Sequence, residues 1–221
     1  MKINIAIDGP SAAGKSSVSD KVAAKLNYTH LDTGAMYRAT AYEAFKENIA
    51  IDDEENIIKM IEKMDLDMKP DGRVILNGED ISSKIRTNEI SMGASNVSKL
   101  LGVRAALVAM QQKICASGGY ILDGRDIGTV VLKDAPVKIF MTASAEARAK
   151  RRVKQNIQKG IEGTDYQTIL EDIEKRDYQD SHRQNSPLKQ ADDAVLIDTS
   201  DLSVEQVVDQ VMSLVQEKLG D

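Results

Sequence analysis

Short apolar runs alternate along the chain with longer segments in which apolar residues recur at helical spacing. The first run, at 3–7, ends in Asp8-Gly9-Pro10 and predicts a strand followed by a loop. The spacing from about Lys15 to Leu26 predicts a helix that packs on this strand. Similar strand-like runs follow at 28–31, 120–123, 137–141 and 194–198. This alternation predicts an α/β fold in which helices cover a mostly parallel sheet.

Two further segments have recognisable ends. Ser203, with Gln206 three residues later, predicts the capped start of a closing helix with an apolar face. Turn signals at 70–72 and at Asn77-Gly78 flank the apolar run 73–76. They predict a small antiparallel hairpin, which we expect to be an insertion beside the main sheet.

Composition and charge exclude several classes of protein. The chain has 221 residues, 42% of them hydrophobic and 29% charged, which predicts one compact unit. No apolar run approaches the roughly 20 residues of a membrane span, and the N-terminus turns polar too early for a signal peptide, so we expect a cytoplasmic protein without membrane contact. The single cysteine, Cys115, excludes an internal disulfide, and His30 and His182 provide no zinc ligand set. The net charge of −6 argues against nucleic acid as a partner.

A phosphate-binding loop is predicted between the first strand and the first helix. Gly9-Pro10-Ser11-Ala12-Ala13-Gly14-Lys15-Ser16 matches the pattern G-x-x-x-x-G-K-[ST] in that setting. Such a loop directs backbone N–H groups at phosphate, and the start of the helix adds positive partial charge. Lys15 would reach the β- and γ-phosphates, Ser16 would bind Mg²⁺, and Ser17 would add a phosphate contact. The alternative is a capped glycine turn without a ligand.

The reaction class depends on the rest of the chain. No Asn-Lys pair and no D-x-x-G sequence occur, which disfavours a GTPase switch. A kinase must clamp an anionic acceptor and surround the transferred phosphoryl group with cations, so arginines near strand ends are the expected sign. Two readings from different classes stay open: a small-molecule kinase, and a binding or switch module that binds ATP with little turnover.

Arginines follow two of the predicted strands. Arg38 comes shortly after the second strand, and Arg125 with Asp126 comes after the run 120–123. The carboxyl ends of parallel strands meet at the edge where such sheets bind ligands, so these side chains are candidates for acceptor contacts. A lone arginine is also commonly a solvated surface group.

A basic segment stands out in this acidic chain. Its cations are Arg148, Lys150, Arg151, Arg152, Lys154 and Lys159, with no acidic residue among them. We predict a lid that closes over polyphosphate. A solvated helix face is the alternative, and a nucleic-acid contact is the weaker one.

A second charged segment, at 176–183, has mixed sign. Arg176, Asp180 and Arg183 share one helical face by their i, i+4 and i+3 spacing. They could belong to the acceptor site or form an ion-pair ladder on the surface.

Six motifs in this order resemble those of the bacterial cytidylate kinases of the type 1 family, over nearly the whole chain. They are residues 9–17, Asp32-Thr33-Gly34-Ala35-Met36-Tyr37-Arg38, residues 76–81, Ile85-Arg86-Thr87, residues 123–128 and residues 176–183. The resemblance implies a P-loop NTPase-type fold with a helical lid, and in-line transfer of the ATP γ-phosphoryl group to CMP or dCMP. Another acceptor such as UMP remains the alternative within this fold.

The resemblance also implies roles for single residues on the donor side. Residues 9–17 would hold ATP, with Ser16 on Mg²⁺, and Asp32 and Asp123 are candidates for water-mediated metal contact. Each of these two carboxylates could equally be a hydrogen-bonded loop residue. From the lid, Arg148 and Arg152 would reach the ATP phosphates, and Arg151 is a lesser candidate.

On the acceptor side the resemblance implies a phosphate clamp, a sugar contact and a base pocket. The clamp would be Arg38, Arg125 and Arg183. Arg176 and Asp180 would hold the sugar side and the approach of the donor, and with Lys15 and the clamp they form the implied catalytic set. The implied base contacts are Thr33, Ser95, Arg104 and Asp126, and Asp32 lies on the same side. Cytosine presents an amino donor beside two acceptors, so a carboxylate next to an arginine should select CMP over UMP.

The implied organisation is a single nucleoside monophosphate kinase unit that acts as a monomer. Its core would comprise residues 1–38, 103–147 and 162–221, with an acceptor-binding insertion at 39–102 and the lid at 148–161. The implied ligands are ATP, Mg²⁺, CMP and dCMP.

Overall fold

The computed structural model describes residues 2–69, 71–158, 160 and 165–220. It divides the chain into two compact units. The core unit comprises Met1–Tyr28 and Gly119–Asp221, and the middle unit is Thr29–Gly118. The predicted boundaries of insertion and lid stay predictions, and Lys159 of the predicted lid lies outside the described residues.

Strands and helices alternate through most of the described chain. The strands are β1 (Ile5–Asp8), β2 (Thr29–Asp32), β3 (Leu66–Met68), β4 (Val74–Leu76), β5 (Glu79–Asp80), β6 (Tyr120–Gly124), β7 (Val137–Thr142) and β8 (Val195–Asp198). The α-helices are α1 (Lys15–Leu26), α2 (Thr33–Lys46), α3 (Glu54–Ile61), α4 (Asn88–Val97), α5 (Leu101–Cys115), α6 (Ala145–Gln158), α7 (Tyr166–His182) and α8 (Val204–Leu219). A 3-10 turn lies at Lys84–Arg86 and a π-helical turn at Ile127–Val131.

The core unit is built on parallel strands in the order β6-β1-β7-β8. Ile7 lies opposite Asp123 on one side and Ile139 on the other. Because these strands are parallel, their carboxyl ends meet at one edge, which brings Asp8 and Gly124 side by side. The predicted mostly parallel α/β fold is confirmed.

Two helices of the core unit pack their apolar stripes into one buried cluster with the strands. Val18 and Val22 of α1 and Val211 and Val215 of α8 are fully or almost fully buried there. The predicted cap of α8 is confirmed: the Gln206 N–H donates to Ser203 Oγ at 3.2 Å, and the Gln206 side chain accepts from the Ser203 N–H at 2.8 Å. The helix therefore begins where the sequence specifies it.

The middle unit combines helices with a small antiparallel sheet in the order β3-β4-β5. Asn77 and Gly78 connect β4 to β5 with φ angles of 50° and 82°, as a tight hairpin turn requires. The Asn77 amide donates to the buried carboxylate of Glu43 in α2 at 2.9 Å. The predicted hairpin is therefore present, with β3 as a third strand, although Pro70 of the first turn signal lies outside the described residues.

Cys115, the single cysteine, ends α5 in the buried part of the middle unit. Burial raises the pKa of its thiol from 9.0 to about 12. Among the described residues, no helix has both the length and the apolar character needed to cross a bilayer.

Candidate active site

The loop between β1 and α1 curls around its own lysine. Lys15 Nζ donates to the carbonyl oxygens of Gly9 and Pro10, at 2.8 Å each. Gly9 has φ 148°, and a Cβ there would lie 1.9 Å from the Met141 carbonyl oxygen, so only glycine fits. Gly14, at φ 93°, is the N-cap residue that immediately precedes α1. The loop therefore has the curled backbone, followed directly by a helix N-terminus, that we predict for a phosphate-binding loop.

Lys15 is buried in a field of mixed charge. Burial, followed by the Arg125 cation, lowers the pKa of Lys15 from 10.5 to about 7, against the opposing effects of Asp123, Asp8 and Asp180. Charged residues at the carboxyl ends of β1 and β6, together with Asp180 of α7, therefore act on the same lysine within the core unit.

A hydroxyl and a carboxylate meet at the start of α1. Ser16 Oγ donates to Asp123 Oδ2 at 2.8 Å, joining the loop to the end of β6. Hydroxyl and carboxylate oxygens are ligands that Mg²⁺ accepts together with phosphate oxygens and water. Within the described residues, no group of three or more histidine, cysteine or acidic side chains is arranged so that it could hold a metal ion by itself. The donor set thus fits a Mg²⁺ ion that arrives with a nucleotide.

Asp180 of α7 is surrounded by arginines. Arg125 Nε donates to Asp180 Oδ2 at 2.6 Å, and the two side chains are only 19% and 12% exposed. Burial alone would raise the pKa of Asp180, but Arg125, Arg176 and Arg183 hold it below its ordinary value. Because this carboxylate is buried, the group is not a ladder of ion pairs on the surface.

Asp126 is paired on the same side of the core unit. Its Oδ1 lies 3.8 Å from Arg183 Nη2, and both side chains are buried. The structure therefore brings together four predicted residues, Arg125, Asp126, Asp180 and Arg183.

The basic helix α6 holds two arginines against the loop. Arg148 is buried and donates to the Ser11 carbonyl oxygen at 3.2 Å and, with two nitrogens, to the Asp177 carboxylate. Arg151 Nη1 donates at 3.0 Å to Thr199 Oγ1, which donates to the Ala13 carbonyl oxygen at 3.1 Å. Two cations of the predicted basic segment, Arg148 and Arg151, are thus hydrogen-bonded to other parts of the protein. Arg152 lies half-buried on the same helix.

Sequence reasoning assigned no role to Asp8, Asp177 or Thr199. Asp177 stands inside the quoted motif 176–183, so its position was the available signal. Asp8 ends a fully buried strand, and a carboxylate there has to be paired because burying an isolated charge is costly. Thr199 carries no local signal, because the partners of its hydroxyl are 48, 57 and 186 residues away in the sequence.

The middle unit holds the other predicted acceptor residues. Asp32, the last residue of β2, caps α2 by accepting the Ala35 N–H at 2.9 Å, and it pairs with Arg38 Nη2 at 2.8 Å. Arg104 is buried with its guanidinium 5.8 Å from the ring centroid of Tyr37. Thr33 is buried at the start of α2, and Ser95 is half-buried in α4.

Comparison with known proteins gives the family. A sequence model described as cytidylate kinase matches residues 5–217. The chain belongs to the cytidylate kinase family. It is 46% identical over 220 residues to the cytidylate kinase of Bacillus subtilis, covering 98% of each chain, and 50% identical over 216 residues to that of Caldicellulosiruptor bescii, covering 96% and 95%.

The fold also agrees with a solved structure outside the cytidylate kinase family. The shikimate kinase of Bacteroides thetaiotaomicron superposes with a TM-score of 0.51 at 10% identity, covering 99% of both chains. At that identity the likeness concerns the fold alone. The resemblance deduced from the six motifs is confirmed, while the roles of single residues within the cytidylate kinase site stay predictions.

Proposed function

We propose that this chain transfers the γ-phosphoryl group of ATP to CMP and dCMP. The observation that carries the proposal is the arrangement of the core unit in which the loop holds the buried Lys15 ammonium at 2.8 Å from two of its carbonyl oxygens. Asp180 fixes Arg125 at 2.6 Å, and the charges of both act on Lys15. A donor-side lysine whose pKa is lowered by an acceptor-side arginine suits a reaction in which negative charge is neutralised from both sides. Membership of the cytidylate kinase family supports CMP as the acceptor.

On the donor side, residues 9–17 would bind ATP, with the backbone N–H groups and Lys15 on its phosphates. Ser16 would bind Mg²⁺, and Asp123 would do so through water, because the two oxygens already lie 2.8 Å apart. The ion would neutralise charge on the transferred phosphoryl group. Arg148 and Arg152 of the predicted lid would add cations at the ATP phosphates, and closure would exclude water.

On the acceptor side, the proposed phosphate clamp is Arg38, Arg125 and Arg183. Arg176 and Asp180 would contact the sugar. The acceptor phosphate is already anionic near neutral pH, so its oxygen can attack in line without a strong general base. The enzyme then has to orient the γ-phosphate of ATP and the acceptor phosphate, which repel each other. Arginines held by carboxylates can do this because their guanidinium groups bind phosphate oxygens in a fixed orientation.

The proposed base pocket consists of Thr33, Ser95, Arg104 and Asp126. The Asp126 carboxylate would accept from the cytosine amino group. With uracil, the same carboxylate would face a carbonyl oxygen and stay unpaired, at a cost of roughly 1–3 kcal/mol. We therefore propose that CMP is preferred over UMP.

We further propose that the protein works in the cytoplasm as a monomer on free nucleotides, without nucleic acid or membrane. Light scattering after size exclusion, with and without ATP and CMP, tests the oligomeric state, and a dimer would overturn that part.

Coupled ADP release with Mg·ATP tests the reaction. The panel comprises CMP, dCMP, UMP, AMP, GMP, dTMP and no acceptor. Release stimulated chiefly by CMP and dCMP is the expected result, whereas stimulation by another acceptor would discard the base pocket. Tight ATP binding without stimulation by any acceptor would favour the binding module instead.

Asp126→Asn tests the base pocket directly. We expect the preference for CMP over UMP to fall by roughly tenfold, in line with the loss of one charge-assisted hydrogen bond. Asp134→Asn changes an exposed carboxylate of the same unit and serves as the matched control. Unchanged selectivity in Asp126→Asn would contradict the assignment.

A further inference from the structure

Asp8 uses both oxygens of a buried carboxylate to hold one segment of backbone. Its Oδ1 accepts the N–H of Ile127 and its Oδ2 accepts the N–H of Gly128, both at 2.7 Å. The side chain is 4% exposed. Asp8 immediately precedes the phosphate-binding loop, and its partners lie 119 and 120 residues later in the chain.

The two N–H groups that Asp8 holds directly follow Asp126. They open the π-helical turn Ile127–Val131, and the first N–H groups of a helical turn have no acceptor within that turn. Two bonds to consecutive peptides fix both the position and the orientation of this backbone, which one bond would not do. The directions of the Arg125 and Asp126 side chains follow from that backbone.

A simple cap would not need a carboxylate at this position. Asparagine caps helices about as well as aspartate where one N–H is accepted. Here two N–H groups are accepted, and an amide offers only one acceptor oxygen, so its NH₂ group would face the second N–H. Two charged groups act on the Asp8 carboxylate: Asp126 repels its charge and Lys15 attracts it. A third charged residue, Lys138, passes with its side chain beside Gly128.

Burial makes the ionised form of this group unfavourable. It raises the pKa of Asp8 to about 6, even though the two N–H donors oppose the shift. Packing alone therefore does not account for a carboxylate at this buried position, whereas its two hydrogen bonds do. Its two bonds connect the end of β1, where the donor loop begins, to the loop that carries Arg125 and Asp126.

We infer that Asp8 is a positioning residue that sets the backbone presenting Arg125 and Asp126 to the acceptor nucleotide. This inference rests on the proposed function, and it assigns Asp8 no contact with substrate. Replacing Asp8 should therefore change mainly the affinity for the acceptor and the selectivity for its base. ATP affinity depends on the loop backbone and on Lys15, the ammonium that Asp8 also helps to keep charged, so it should change less than acceptor affinity.

Asp8→Asn is the first test, with steady-state kinetics for both substrates. We expect the KM for CMP to rise about tenfold, as is typical for the loss of one charge-assisted bond. The KM for ATP should stay within about twofold, and the preference for CMP over UMP should fall. Hydrogen exchange of the Ile127 and Gly128 amides should become faster, a readout independent of turnover.

Two control variants separate positioning from general loss of stability. Asp165→Asn changes the exposed cap of α7, where one side-chain oxygen accepts the Thr168 N–H, and asparagine can replace it. Val215→Ala removes buried methyl groups from α8, away from the site. Both controls should keep wild-type KM values and selectivity. Equal changes in the two KM values of Asp8→Asn, or none, would overturn the inference.

Gly128→Ala perturbs the same hydrogen bond from its other partner. An added Cβ would lie 3.4 Å from Asp8 Oδ2 and 3.2 Å from Lys138 Cδ, so we expect a smaller rise in the KM for CMP. The double variant with Asp8→Asn should be no worse than Asp8→Asn alone, because the bond is already lost. Additive effects would contradict the inference, and this variant decides the matter if Asp8→Asn fails to fold. Absence of CMP-stimulated turnover in the wild type would instead refute the proposed function.

Discussion

The ionised Asp8 carboxylate should make the folded protein less stable at neutral pH than at mildly acidic pH. Its pKa rises from 3.8 to about 6 through burial. The folded chain therefore binds this proton more tightly than the unfolded chain does. The stabilising contribution is fully present below about pH 4 and is lost as the pH rises through about 6.

The two pKa values give the size of the effect. At pH 4.5 the group stabilises the folded state by about 2 kcal/mol, and at pH 7.5 by about zero. Asp8→Asn removes the titration but leaves every other ionisable group. The difference in unfolding free energy, wild type minus variant, should therefore be about 2 kcal/mol larger at pH 4.5 than at pH 7.5.

Urea denaturation of both proteins at several pH values between 4.5 and 7.5 measures this difference. In thermal scans the same change corresponds to about 4–8 °C in a chain of this length. Comparison within the pair cancels the titration of residues that do not interact with Asp8, and Asp165→Asn provides a control in which no such trend is expected. A difference that stays constant across the pH range would refute the reasoning.

Three further variants probe other parts of the core unit. Ser203→Ala removes the cap of α8 and should lower stability by about 1 kcal/mol in urea denaturation without changing kcat. Asp180→Asn leaves Arg125 buried beside a neutral partner, so we expect the free energy of unfolding to fall by about 2–3 kcal/mol and the KM for CMP to rise. Wild-type values of both quantities would contradict this. Gly9→Ala forces a Cβ to within 1.9 Å of the Met141 carbonyl oxygen and should abolish ATP-dependent turnover, which a coupled assay would detect.

The fold could be predicted largely because its signals are local. The spacing of apolar residues gave α1 the bounds that the structure has, Lys15–Leu26. Asn77-Gly78 specified the hairpin turn through a preference for positive φ, and Ser203 with Gln206 specified the start of α8. Each of these signals lies within a few residues of the feature that it predicts.

The site could be predicted only where motif and chemistry coincide. Lys15 and Arg125 belong to quoted motifs and lie at the edge where strands end. The contacts of Arg148 could not be predicted, because its partner Asp177 is 29 residues away and spacing along one helix says nothing of a neighbouring helix. For the same reason the charge run in α6, from which we predict a lid that closes over polyphosphate or else a solvated helix face, carries no signal for the burial of Arg148.

The deep burial of Cys115 has a practical consequence for spectroscopy. The thiolate is the form that attacks alkylating reagents, and a thiol with a pKa of about 12 forms almost no thiolate at neutral pH. The native protein should thus react very slowly with maleimides. A cysteine introduced on the surface would then carry a fluorophore or spin label selectively, and the natural thiol could stay in place.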